Sequence, residues 1–199
     1  MAYSIQFSLH GSRGERKYLN AEERRNFYNQ TKKLDRERKV FCQLLYFTGA
    51  RFGEIHSLYR EQINLSDRLV TIKTLKRRRD DIFRQIPIPD HLIEELKYIL
   101  IEPTHELTEK DYVTSIWSFS RRTGSRLIKQ IMHDAGIDGI KASALGLRHG
   151  YAVHAAMHVP LTKVQKWMGH AYLATTAIYL DVSGIEERKW AEKLWFEEE

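Results

Sequence analysis

Apolar positions recur at helical spacing through most of the chain, with one interruption where they alternate. Asn20 followed by Glu23 has capping-box spacing and opens a helix predicted to run to about Lys33. Val40, Phe41, Leu44, Leu45 and Phe47 form the apolar set of a second helix from about Arg36, which Gly49 breaks. A short third helix passes through Phe52, Ile55 and Leu58. At Arg68 the pattern changes: Leu69 to Leu75 is β-prone, and so is Ile82 to Ile88. Between them Lys76-Arg77-Arg78-Arg79-Asp80-Asp81 offers no Gly or Asn for a tight turn, which predicts a mobile tongue joining two strands. Pro89-Asp90 starts a helix to about Ile101. Beyond a Ser/Thr-rich stretch from Thr114 to Ser120, helices are predicted over about 124–134, ending at Gly136, and over about 147–158, 162–169 and 174–180. A last helix over about 185–196 sets Ile185, Trp190, Leu194 and Trp195 on one side. Residues 1–18 are polar and basic and read as a loose, flexible arm. The fold class is therefore α+β, mainly helical, with a small antiparallel sheet and a basic β-hairpin tongue, and no linker or repeat divides the chain.

Composition narrows the function. The 199 residues hold 32 Lys+Arg against 26 Asp+Glu, a formal net charge of +6. The excess is uneven: residues 1–100 hold 20 basic and 13 acidic side chains, and residues 101–199 hold 12 and 13. Positive charge concentrated in one half favours a polyanionic partner, nucleic acid first and an anionic membrane surface second. No apolar run reaches the length of a membrane span, and the first residues are too polar for a secretory signal. A single cysteine, Cys42, excludes an internal disulfide and a cysteine-only metal site. The expected location is cytoplasmic, associated with the nucleoid if the source is bacterial.

Five short constellations carry chemistry. Thr48-Gly49-Ala50-Arg51-Phe52-Gly53-Glu54 puts Arg51 at a helix start, where its guanidinium and backbone N–H groups can face an anion, and Glu54 three residues on can hold it. Taken alone this reads as an ordinary surface ion pair. Lys73 ends a strand leading into the tongue; by itself it is also what guards an exposed sheet edge. Arg148 enters an amphipathic helix between Gly146 and Gly150, Trp167-Met168-Gly169-His170 follows, and Tyr179 comes nine residues after that histidine. His154 and His158 have the i,i+4 spacing of a zinc helix, but Ala155 occupies the place of the catalytic glutamate, so they read as an ordinary histidine pair and no metal is expected.

Together and in order, these pieces resemble the tyrosine recombinase (phage integrase) family over roughly residues 18–196. The segment around Arg51 resembles its first arginine box, Ile72-Lys73-Thr74 its β-hairpin lysine, and Leu147-Arg148-His149 its second arginine box. The run from Val164 to His170, then Thr175-Thr176 and Ile178-Tyr179, resembles the stretch that ends in the nucleophile. The resemblance implies an integrase-like catalytic core over 19–183, a C-terminal helix over 184–199 that docks in trans, and site-specific cutting and rejoining of double-stranded DNA through a 3′-phosphotyrosine. It implies Arg51, Lys73, Arg148, His170 and Tyr179 as catalytic residues, Glu54 and His149 as supporting ones, and Lys76, Arg77, Arg78 and Arg79 on DNA phosphates. It further implies a homotetramer on DNA, with accessory DNA-binding proteins and no cofactor. The chemistry is coherent: two guanidinium forks clamp non-bridging oxygens, a lysine protonates the departing 5′-oxygen, and a tyrosine ester stores the bond energy.

Two departures stand out. The family usually carries a histidine three residues before the second arginine, where this chain has Leu145. Leucine neither donates a hydrogen bond nor relays a proton, and losing such a contact costs about one to three orders of magnitude in rate. His149 and Lys141 are the neighbouring candidates to stand in, without the family spacing. The first arginine box also begins near residue 48, which leaves no room ahead of it for the N-terminal domain most members carry and resembles the short fimbrial-switch form. A catalytically weakened DNA-binding accessory protein and a type IB topoisomerase are the competing readings, as is Lys76 in place of Lys73 for the general acid.

Overall fold

The computed structural model describes residues 8–74, 82–101 and 115–181, with helical backbone at Glu187, Arg188, Ala191, Glu192 and Trp195. Within these residues the chain forms α1 (Ala21–Thr31), α2 (Arg36–Thr48), α3 (Phe52–His56), β1 (Ile63–Asn64), β2 (Leu69–Lys73), β3 (Phe83–Pro87), α4 (Asp90–Ile101), α5 (Arg121–Asp134), α6 (Ala144–Ala156), α7 (Leu161–Met168) and α8 (Leu173–Ala177), the last continued by a 3₁₀ turn at Ile178–Leu180. None of these helices is long and apolar enough to cross a membrane. Asn20 caps α1 through the Glu23 N–H while the Glu23 carboxylate reaches back to the Asn20 N–H, the reciprocal box its sequence encodes.

The sheet is antiparallel in the order β1-β2-β3, with Val70 opposite Ile86 and Ile72 opposite Arg84. In β2 and β3, Val70, Ile72, Arg84 and Ile86 are buried, whereas Lys73 and Phe83, also paired, lie on the exposed face. The tongue, with Lys76 to Arg79, lies outside the described residues, as do Ile185, Trp190 and Leu194 of the last helix. Trp195 is described there and is exposed, with Arg188 over its ring.

Among the described residues, two apolar clusters hold the fold. The larger joins α1 to α5 and the sheet around Phe41, whose ring meets Phe52, Trp117 and Phe119 edge-on at centroid distances of 5.5, 5.3 and 5.1 Å. The smaller gathers Leu9, Tyr18, Tyr151, Val153, Val164, Met168 and Tyr179. Helix α6 stands between them, giving Leu147 to the first and Tyr151, Ala152, Val153 and Ala155 to the second, and is buried on most sides. The loose arm expected over 1–18 is not what residues 8–18 form. Leu9 and Tyr18 are fully buried, Lys17 N–H donates to the Leu9 carbonyl, and the Leu19 N–H donates to the Gly146 carbonyl. The basic residues that made the arm look solvated lie between these anchors: Arg16 pairs with Glu23 at 3.0 Å rather than facing open water.

Candidate active site

Two helix ends deliver the first pieces. α2 closes on Gly49 at φ 59°, and a Cβ there would come within 2.1 Å of the Tyr151 ring, so the left-handed turn and the close packing both require glycine. The chain leaves this turn straight into Arg51. α7 closes in the same way on Gly169 at φ 66°, and His170 follows.

Arg51 caps the five-residue α3. Its backbone N–H and its Nη1 donate to the two oxygens of Glu54 at 2.8 and 2.9 Å. That N–H is thus taken up by the chain's own carboxylate, and the guanidinium, a quarter exposed, is held as the i,i+3 spacing suggests. Glu54 is itself buried and has a second partner that sequence reasoning missed. Arg84 Nη2 donates to Glu54 Oε2 at 2.5 Å, its Nη1 to Thr74 Oγ1 at 2.9 Å, and its Nε to the Trp167 carbonyl at 2.7 Å. Burial alone raises the Glu54 pKa, but Arg84 and Arg51 beside it more than offset this and hold the carboxyl below its usual range. The signal was present: Arg84, Ile86 and Ile88 share one face of a period-2 strand, so an arginine was bound to point inward.

Arg148, in the second turn of α6, is 4% exposed. Its Nη1 donates to the Gly49 carbonyl at 2.6 Å and its Nη2 to the Met168 carbonyl at 2.7 Å, tying together the two glycine-closed helix ends. Burial, then the nearby Arg51, lowers its pKa to about 10, which leaves it charged at neutral pH. Nη2 also reaches His170 Nε2 at 3.4 Å. Burial and Arg148 together push His170 down to about 3, so the ring is neutral. With Nε2 accepting from arginine, the proton sits on Nδ1 and is donated to Thr176 Oγ1 at 3.0 Å. In this tautomer His170 orients Arg148 and has no Nε2 proton of its own to offer.

Tyr179, on the 3₁₀ turn after α8, is 1% exposed. Its ring stacks on His170 at 5.9 Å and 17°, and its hydroxyl lies 3.1 Å from His149 Nδ1. Burial raises the phenol to about 12, against the opposing pull of Arg148 and Arg51. Arg51, Glu54, Arg148, His149, His170 and Tyr179 are therefore one cluster. Lys73 is not in it: its side chain is exposed on the outer face of β2, and among the described residues it makes no bond to the cluster. Leu145, 57% exposed, borders an open cavity of about 250 Å³ with Phe52, Ile128 and Lys129. Lys141 does not stand in for the missing histidine, because Glu23 holds its ammonium at 2.5 Å.

Tyrosine recombinase XerA of Thermococcus kodakarensis is 27% identical over 175 residues, covering 82% of this chain and 56% of that protein. Tyrosine recombinase XerD of Shewanella oneidensis is 33% identical over 152 residues, covering 73% and 49%. The chain thus spans about half the length of these relatives. A crystal structure of the XerH site-specific recombinase, bound to a palindromic difH substrate in a post-cleavage complex, superposes with a TM-score of 0.72 at 24% identity, covering 98% of this chain and 58% of that one. The pattern that defines the phage integrase family matches residues 17–184, most of the length, and the chain belongs to that family.

Proposed function

We propose that this chain cleaves and rejoins double-stranded DNA at specific sites through a covalent bond between Tyr179 and a 3′-phosphate. The observation that carries the reading is the position of the Tyr179 phenol, which its own chain holds against His149 and His170 and within electrostatic reach of both Arg148 and Arg51. A phosphodiester seated here meets two guanidinium forks where charge builds in the transition state. The Tyr179 oxygen attacks phosphorus, the bond to the 5′-oxygen breaks, and a hairpin lysine, Lys73 or Lys76, protonates the leaving oxygen; rejoining reverses the step. The basic run Lys76 to Arg79 contacts backbone phosphates. Assembly as a tetramer, with residues 184–199 docking on a neighbouring protomer and with accessory proteins where they exist, completes the reading, as does action wherever the host keeps its DNA. The XerH structure, which shares the fold and is bound to its difH substrate, supports DNA as the partner.

The test uses a pool of nicked duplexes carrying random sequence, from which covalent complexes are trapped because the cleaved fragment diffuses away. An adduct formed by the wild-type chain and absent from Tyr179→Phe is the expected result. Leu145 favours a second reading, a DNA-binding accessory protein with weakened chemistry. That protein retards DNA in a gel and forms no adduct. Relaxation of any supercoiled plasmid, without a preferred sequence, points instead to a topoisomerase.

A further inference from the structure

We propose that His149 takes the phenolic proton of Tyr179 as the tyrosine attacks phosphorus, in the place that Leu145 leaves without a base. The inference rests on the strand-cleavage reading. Its basis is geometric: His149 Nδ1 lies 3.1 Å from the Tyr179 hydroxyl, the two rings 5.9 Å apart at 40°, with His149 buried on α6 and Tyr179 packed in the smaller core. The other bases nearby are otherwise engaged. His170 touches the same phenol only by stacking, with its nitrogens on Arg148 and Thr176. Lys141 is paired with Glu23, and Leu145 has no atom that binds a proton.

Two cations act on His149, Arg148 on its own helix and Lys17 in the N-terminal segment, and Tyr179 and His170 face it from the C-terminal turns. Burial and these cations keep the imidazole neutral, down to about 4, and so able to accept at Nδ1. A phenol pushed up to about 12 is scarcely ionised near neutrality, so attack without a base would wait on a rare phenolate. In the proposed step the Tyr179 oxygen–phosphorus bond forms while the phosphorus–5′-oxygen bond breaks. The phenolic proton moves to His149 Nδ1, and the 5′-oxygen takes a proton from the hairpin lysine. Rejoining returns the imidazolium proton to the departing phenolate.

The experiment measures single-turnover adduct formation from pH 6 to 9.5 with the 199-residue chain. The substrate is a nicked duplex recovered covalently from the random-sequence pool by the wild-type protein. His149→Gln keeps a hydrogen-bonding group beside the phenol and takes no proton in this range. It is expected to react about 10²–10⁴-fold more slowly at pH 7 and to gain about tenfold per pH unit, as attack by preformed phenolate requires. The wild type should vary little, and added imidazole should restore His149→Ala by tenfold or more. A destabilised variant changes the level of the profile and not its slope, and a urea melt of each variant fixes the folded fraction. A His149→Gln profile parallel to the wild type's, at whatever rate, would overturn the assignment and leave His149 a packing residue. A wild-type chain that captures no duplex at all overturns the cleavage reading and this inference with it.

Discussion

Glu54 holds two cations in different surroundings: Arg51, with its guanidinium partly in water, and Arg84, buried between the sheet and the end of α7. Removing one partner of a buried pair leaves a charge that neither water nor protein compensates, at a cost of about 3–5 kcal/mol. Arg84→Met should therefore lower the melting temperature by on the order of 10 °C, since each kcal/mol is worth about 2–4 °C in a chain of this size. It should also reduce adduct yield, because Arg51 is then gripped by a carboxylate that has lost its own anchor. Adding Glu54→Gln to Arg84→Met should return much of the stability and none of the yield, which a thermal melt and a trapping assay separate. The Arg51–Glu54 contact was legible in the sequence because three residues along a helix bring side chains together. Arg84 was legible only as an inward-facing arginine. Which carboxylate it meets, thirty positions away, is decided by how the sheet docks on α3, and no local pattern records that.

Gly49 and Gly169 perform the same service on two helices, and their carbonyl surroundings converge on Arg148. Alanine at either position is strained by about 1–2 kcal/mol in the left-handed region. The neighbours differ: at Gly49 the new methyl meets a buried tyrosine ring at 2.1 Å, and at Gly169 a guanidinium nitrogen of Arg84 at 3.1 Å. Gly49→Ala should accordingly be the more destabilising in urea melts, and its loss of adduct formation should exceed the loss of folded protein, because Arg51 and the carbonyl that holds Arg148 shift together. The helices themselves were readable wherever a cap and a periodic stripe coincide, as in α1 and α2. Their starts were misjudged where the cap is followed by polar or small residues. Ser120 opens α5 at Arg121, ahead of the expected start near 124, and Ser143 opens α6 at Ala144, ahead of 147. β1, two residues long, offers no alternation to detect.

The division into two cores with α6 between them escaped the sequence, because a helix buried on most sides shows periodicity too weak to reveal its partners. That burial has a consequence for acid stability. His149 is held neutral, with its pKa lowered to about 4, and His170 to about 3, whereas both titrate near 6.5 once unfolded. Between these limits the unfolded chain binds more protons than the folded one, so stability is fully present above about pH 6.5 and declines as the solution is acidified toward pH 4. For His149 the slope approaches about 1.4 kcal/mol per pH unit, or about 2 kcal/mol lost by pH 5. The carboxyl of Glu54 acts later in the same direction: its folded pKa lies below the unfolded one, so its contribution is present above the ordinary carboxylate range and lost as the pH falls through the lowered value. Urea midpoints measured from pH 7.5 to 3 should hold above about pH 6.5 and then fall, with a further contribution to the decline from Glu54 below about pH 4.5. His149→Gln, which cannot take up that proton in either state, should lower the slope of the upper part of the curve by about half, the remainder coming from His170, and leave the decline from Glu54 at the acid end in place. If the upper part keeps its wild-type slope in that variant, the burial of His149 against Tyr179 is not what couples this fold to protons.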